Sequence, residues 1–105
     1  MDLSNIMEQA KTMQEKMAKI QQELAQKTIT GSSGGGMVTV TVNGQGDVIS
    51  ISIVNAVIDP TESEMLQDLI VAATNDGIRK AKELSKQEMA QLTGGLNIPG
   101  LSNLT

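Results

Sequence analysis

Leu3, Ile6, Ala10, Met13, Met17, Ile20 and Leu24 follow one another at spacings of 3, 4, 3, 4, 3 and 4. This is an a/d heptad pattern, and it predicts an amphipathic helix over residues 2 to 26. No glycine or proline interrupts Asp2 to Lys27, and Asp2 or Ser4 is placed to cap the start. At 1.5 Å per residue such a helix is almost 40 Å long (about 38 Å). A compact domain of this chain's size has a radius of gyration of only about 13 Å. Part of the helix must therefore overhang whatever it packs on, and its apolar stripe continues into the overhang.

The rest of the chain alternates short extended runs with turn signals. Thr28-Ile29-Thr30 is β-branched and is expected as a short first strand, and Gly31 to Gly36 (GSSGGG) as a flexible loop. Met37 to Asn43 alternates Val38, Val40 and Val42 with Thr39 and Thr41. Val48 to Val54 alternates Ile49, Ile51 and Ile53 with Ser50 and Ser52. A two-residue turn at Gln45-Gly46 puts Val42 opposite Ile49, Val40 opposite Ile51 and Val38 opposite Ile53. All six apolar side chains then share one face, and Thr39 meets Ser52 as Thr41 meets Ser50.

Asp59-Pro60-Thr61-Glu62 is a helix start, with a cap, a proline at the first position and an acid in the first turn. The helix should run to about Leu92 and stop at Gly94-Gly95. Its stripe includes Leu66, Leu69, Ile70, Ala73, Ile78, Ala81 and Leu84, and it is interrupted by Gly77, a residue suited to close packing against another helix. Residues 1–95 thus read as a single domain and 96–105 as a flexible tail. The predicted class is α+β, an α-β-β-β-α chain with long terminal helices around a three-stranded antiparallel sheet. The second helix is roughly 50 Å long, so the simplest cover for both overhanging stripes is the other helix of the same chain plus a second subunit.

Composition narrows the chemistry. The 105 residues include no cysteine and no histidine, so thiolate metal sites, disulfides and the commonest catalytic base are absent. GSSGGG lacks the lysine of a phosphate loop, and Gly44-Gln45-Gly46 lacks the third glycine of a dinucleotide fingerprint. Glu62, Glu64 and Asp68 cluster where the helix dipole favours acids, which explains them without a metal. Ser32 and Ser33 have no histidine base. No enzyme, cofactor, metal or small-molecule substrate is expected. No apolar run reaches the roughly 20 residues of a membrane span, and the N-terminus does not read as a signal peptide; a cytoplasmic protein is expected. Phe, Tyr and Trp are all missing, which removes the platform on which single-stranded nucleic acids stack. The seven methionines are expected to fill core gaps in their place.

Net charge is −4, from 8 basic and 12 acidic residues. Arg79, Lys80, Lys82 and Lys86 nonetheless gather in the later half of the second helix, three of them at spacings of 3 and 4. A solvated helix face accounts for them, and so does contact with a phosphate backbone.

Across nearly the whole chain the sequence resembles the YbaB/EbfC family of nucleoid-associated proteins. The resemblance is carried by Met13-Gln14-Glu15-Lys16-Met17, Thr30-Gly31-Ser32-Ser33-Gly34-Gly35-Gly36-Met37-Val38, Val42-Asn43-Gly44-Gln45-Gly46 and Asp59-Pro60. It continues through Met65 to Ala73, Asn75-Asp76, Arg79-Lys80-Ala81 and Leu92-Thr93-Gly94-Gly95. It implies a tweezer-like homodimer with helical arms that binds double-stranded DNA with little sequence preference, in the nucleoid, with effects on nucleoid organisation and gene regulation. The acidic balance departs from a tight DNA binder. It requires the cations to cluster in space, with Arg79, Lys80, Lys82 and Lys86 as candidates together with Lys11, Lys16, Lys19 and Lys27. The competing reading is a dimeric adaptor for protein partners without significant DNA affinity.

Overall fold

The computed structural model describes residues 2–96. Helix α1 (Leu3–Gln26) leads into a sheet of three antiparallel strands, β1 (Thr28–Ser33), β2 (Val38–Asn43) and β3 (Val48–Ile53), in the order β1-β2-β3. Helix α2 (Ser63–Leu96) is the last element of the described residues. Asp2 is the cap of α1 and accepts from the Ser4 amide at 3.2 Å. Asp59 accepts from the Thr61 amide at 3.0 Å and caps a 3-10 turn, Pro60–Glu62, that runs straight into α2.

Two local expectations are corrected. Gly31-Ser32-Ser33 is not loop but the second half of β1, paired with Val40, Thr39 and Val38. Only Gly34-Gly35-Gly36 turns, all three with positive φ, the region where glycine alone is unstrained. Helix α2 likewise passes through Gly94 and Gly95 and ends at Leu96. A glycine costs a helix about 1 kcal/mol against alanine; it permits a stop without compelling one. The remainder of the tail expected over 96–105 lies outside the described residues.

The hairpin register agrees with the expected one at Val38–Ile53, Thr39–Ser52, Val40–Ile51 and Thr41–Ser50. It differs at the tip, where Val42 pairs with Val48 rather than Ile49. The loop has three residues, Gly44-Gln45-Gly46, instead of two. Asn43 dictates this: its side-chain oxygen accepts from the amides of Gln45 and Asp47, each at 3.0 Å, which mimics a backbone turn. Gly46 supplies the φ of +89° that closes it. The longer loop offsets the strands by one residue, and a bulge between Thr41 and Val42 restores the pairing beyond it.

The core lies between the sheet and α2. Val38, Val40 and Val42 are fully buried against Ala73 and Ala81, with Leu66, Leu69, Ile70 and Ile78 packed around them. At the centre two backbones nearly touch. A Cβ on Gly31 would stand 2.2 Å from the Gly77 nitrogen and 2.3 Å from the Ala73 carbonyl oxygen. Gly77 is therefore matched to a strand, not to another helix. Two further bonds fix this seam: the Ser33 hydroxyl donates to the Leu69 carbonyl at 2.6 Å, and the Ser32 amide donates to Asp76 at 3.1 Å.

The cover is incomplete. Helix α2 lies over β1 and β2, and the edge strand β3 is left largely outside it. Val48, Ile49 and Ile51 are exposed, as are Val54 and Ile58 just after the strand. The six apolar residues of the hairpin were expected on one buried face; the β2 set is buried and the β3 set mostly is not. Helix α1 is equally bare over most of its length, with Leu3, Ile6, Met7 and Met17 exposed and only Leu24 buried. None of the described methionines is buried, so they do not replace aromatics in this core; small β-branched side chains and alanines fill it. The molecule measures 69 × 27 × 16 Å with a radius of gyration of 19.6 Å, well above the roughly 13 Å of a compact domain.

The seam makes a direct prediction. Gly31→Ala forces a methyl into backbone that has no slack, and should destabilise the fold by about 3 kcal/mol or more, lowering Tm by over about 10 °C. Gly77→Ala meets only a Val42 methyl at 3.3 Å and the Gly31 nitrogen at 3.4 Å. Its gain in helix propensity offsets that crowding, so its stability should stay within about 1 kcal/mol of the parent. Thermal melts by far-UV circular dichroism check both; equal effects would contradict this reading of the seam.

Candidate nucleic-acid interface

The eight cations divide by what surrounds them. Arg79 and Lys80 both turn to Asp76, the residue one helical turn before them on α2; the Lys80 ammonium lies 3.0 Å from its carboxylate. Lys80 also donates to the Thr30 carbonyl of β1 at 3.3 Å. Lys27, at the end of α1, meets Glu88 of α2 at 2.6 Å. Among the described residues Lys11, Lys16, Lys19, Lys82 and Lys86 are in no ion pair. All five lie on α1 or on the later half of α2.

Antiparallel packing of these helices brings several of them together. Lys16 and Lys19 of α1 line a shallow groove shared with Glu23, Glu88 and Gln91. Lys11 lies farther out on the exposed part of α1. Lys82 and Lys86 lie one turn apart on α2 and line a different, larger cleft of about 550 Å³. Its other walls are Gln21 of α1 and the β2–β3 turn. The turn is built into α1: the Gly44 amide donates to the Leu24 carbonyl at 2.8 Å and the Lys27 carbonyl at 3.0 Å, and the Gln45 side-chain amide donates to the Gln21 carbonyl at 2.9 Å. A side chain at Gly44 would collide with the Leu24 carbonyl, 2.6 Å from its Cβ position.

The expected cluster is thus split. Lys82 and Lys86 are brought together, whereas Arg79 and Lys80 are partly neutralised and tied to the β1 seam. Asp76 was not singled out from the sequence, although its spacing of three and four to Arg79 and Lys80 carries that signal. Gln21, Gln45 and Ser85 carry no such signal, because only packing places them on one cleft. Ser33, weighed as a hydroxyl without a base, is occupied with the Leu69 carbonyl. Glu62, Glu64 and Asp68 do not gather into a metal site; among the described residues no three His, Cys, Asp or Glu side chains do. No helix among them is long and apolar enough to cross a membrane.

Asp76 links this charge pattern to stability. The Ser32 amide bond and then the Lys80 bond hold its carboxyl below the usual value of 3.8; burial opposes them, and weaker attractions to Lys80 and Arg79 add to the lowering. A depressed carboxyl stabilises the fold in its ionised form, fully above its ordinary value, and the contribution is lost as pH falls through the folded value. Asp76→Asn should therefore lower the urea midpoint at pH 7. The gap to the parent should narrow at pH 3 and below, because the parent loses the same contribution there. A gap independent of pH would show that the carboxylate's charge is not what holds β1 to α2.

Residues 1–96 match the model of the YbaB/EbfC DNA-binding family. A nucleoid-associated protein of Desulfotalea psychrophila is 65% identical over 103 residues, covering 98% of this chain and 97% of the relative. A nucleoid-associated protein of Syntrophobacter fumaroxidans is 58% identical, covering 92% and 88%. The fold superposes on the crystal structure of an uncharacterised protein from Helicobacter pylori with a TM-score of 0.80 and 26% identity, over 89% of this chain and 98% of that one. The arrangement of α1, the three-stranded sheet and α2, together with these matches over nearly its full length, establishes that the chain belongs to the YbaB/EbfC DNA-binding family.

Proposed function

We propose that the protein is a nucleoid-associated, double-stranded DNA-binding homodimer that grips phosphate backbone with little sequence preference, through domain 1–95. The observation that carries this reading is the distribution of unpaired charge. In a chain of net charge −4, every lysine outside an ion pair among the described residues lies exposed on α1 or on the later half of α2. Phosphate neutralisation by lysines positions a duplex without reading its bases. The absence of Phe, Tyr and Trp favours duplex over single strands, which bind by stacking. The relatives' names support a place in the nucleoid, and gene regulation would follow from changed DNA packaging.

A homodimer is supported by what the protomer leaves uncovered. Val48, Ile49, Ile51, Val54 and Ile58 are each 44–58% exposed along one edge of the sheet. Exposed apolar residues at and after an edge strand invite a partner, and a two-fold interface would bury both copies at once. Two protomers would then carry two helical arms, the geometry of a clamp. Sedimentation should give twice the 11.1 kDa of the chain. Ile51→Asp, which places an unpaired charge in that edge, should shift the species to monomer; a parent that sediments as a monomer at micromolar concentration would remove the clamp.

The acidic balance and the bare apolar seam of α1 favour the second reading, an adaptor for protein partners. A salt series on labelled duplex DNA separates the two. Four to six neutralised phosphates per dimer give a slope of log affinity against log salt of about −4 to −5. Alanine at Lys11, Lys16, Lys19, Lys82 and Lys86 together should abolish binding at physiological salt while leaving the fold intact, since all five are exposed. A folded dimer that fails to bind duplex even at low salt would leave the adaptor standing.

A further inference from the structure

The cleft bounded by α1, the β2–β3 turn and α2 differs from the rest of this acidic surface. Among the described residues its only charged lining residues are Lys82 and Lys86, and no acidic residue lines it. By contrast, the groove at Lys16 and Lys19 also holds Glu23 and Glu88, and Arg79 and Lys80 share Asp76. Both cleft lysines are outside every ion pair among the described residues. Neighbours four apart on a helix lie about 6 Å from one another, so both ammonium groups can reach a single phosphate. Ser85 stands between them in the lining and offers a hydroxyl. Gln45 is held across the opposite wall by its bond to the Gln21 carbonyl, which leaves its second amide hydrogen for a ligand.

Size and lining define the ligand further. About 550 Å³ is far more than a bare anion needs and falls within the roughly 300–1,000 Å³ of small-molecule sites. The apolar part of its lining is Ile78, Ala81 and Met89 of α2. A cationic rim with an apolar lining suits a phosphate attached to an uncharged, partly apolar body. The rim is also preorganised, because the turn is tied to α1 by the two Gly44 bonds and cannot swing away without breaking them.

We propose that this cleft is a discrete phosphate-binding site that seats one nucleotide unit, its phosphate between Lys82 and Lys86 and its sugar on the apolar lining. The nucleotide comes either from a DNA strand or from the free pool. The first case rests on the DNA-binding reading above; the second does not. Gln45 acts as a positioning residue on the turn side.

Amide NMR of the full, uniformly labelled chain tests it with two probes, thymidine monophosphate and a 12-base-pair duplex. The monophosphate should shift the amides of Gly44, Gly46 and Ser85 saturably and leave those of Lys11 and Lys19 in place. Ser85→Glu, which adds a carboxylate between the lysines, should weaken this binding at least tenfold. Asn75→Asp adds the same charge on exposed α2 surface outside the cleft and should leave it unchanged, so a general charge effect is told apart from a local one. Duplex that displaces the monophosphate identifies the strand as the source. Monophosphate binding with no duplex binding keeps the cleft and removes the DNA reading. Duplex binding that bypasses Gly44, Gly46 and Ser85 and survives Ser85→Glu keeps the DNA reading and overturns the cleft. Unsaturable shifts spread over all lysines also overturn it.

Discussion

The close approach of β1 to α2 at Gly31 and Gly77 governs the rest of the molecule. Backbone atoms there stand where a single methyl group cannot fit. This contact seats α2 over β1 and β2, and that position has two consequences. Val38, Val40 and Val42 become the centre of the core, because they face a helix surface lowered to glycine and alanine. Strand β3 is left largely beyond the helix's reach, so its isoleucines are apolar without being buried. A core this thin rests on few large side chains, which is why the protomer looks incomplete alone.

The same seam aims the second half of α2 past the sheet, where it meets the end of α1. That junction is held by polar and steric contacts more than by a shared core. Leu24 is the one buried residue of α1; around it the Gly44 amide, the Gln45 side chain and the Lys27–Glu88 pair tie helix, turn and helix together. The pair is partly exposed, and such pairs contribute little stability. The turn matters more for placement. By docking onto α1 it makes one wall of a cleft whose opposite wall carries Lys82 and Lys86.

Charge in this protein is consequently a matter of pairing rather than of total. An overall charge of −4 argues against a nucleic-acid partner if spread evenly. It is not spread evenly, because Asp76 and Glu88 take up Arg79, Lys80 and Lys27 near the sheet and helix junction. The lysines left over are those on the extending helices. Local field, which falls off within about a Debye length of 8–10 Å, then depends on these neighbours and not on the sum.

The sequence by itself determined the elements. The heptad from Leu3 to Leu24, the alternation of valines and isoleucines with hydroxyl residues, and the Asp59-Pro60 start each impose a local period or cap, and local backbone chemistry decides such features. It also excluded histidine, thiol and aromatic chemistry outright, since a residue type that is absent cannot act. Only the tertiary structure decided the offsets and partners: the three-residue loop set by Asn43, the extension of β1 through Ser33, the strand rather than helix that Gly77 meets, and the exposure of β3. It alone showed which cations are paired and which line a cleft. The pairing of charges and the seat of Gly77 depend on contacts between residues more than 40 positions apart, such as Lys27 with Glu88 and Gly31 with Gly77. No local pattern encodes the distance between two side chains brought together by packing.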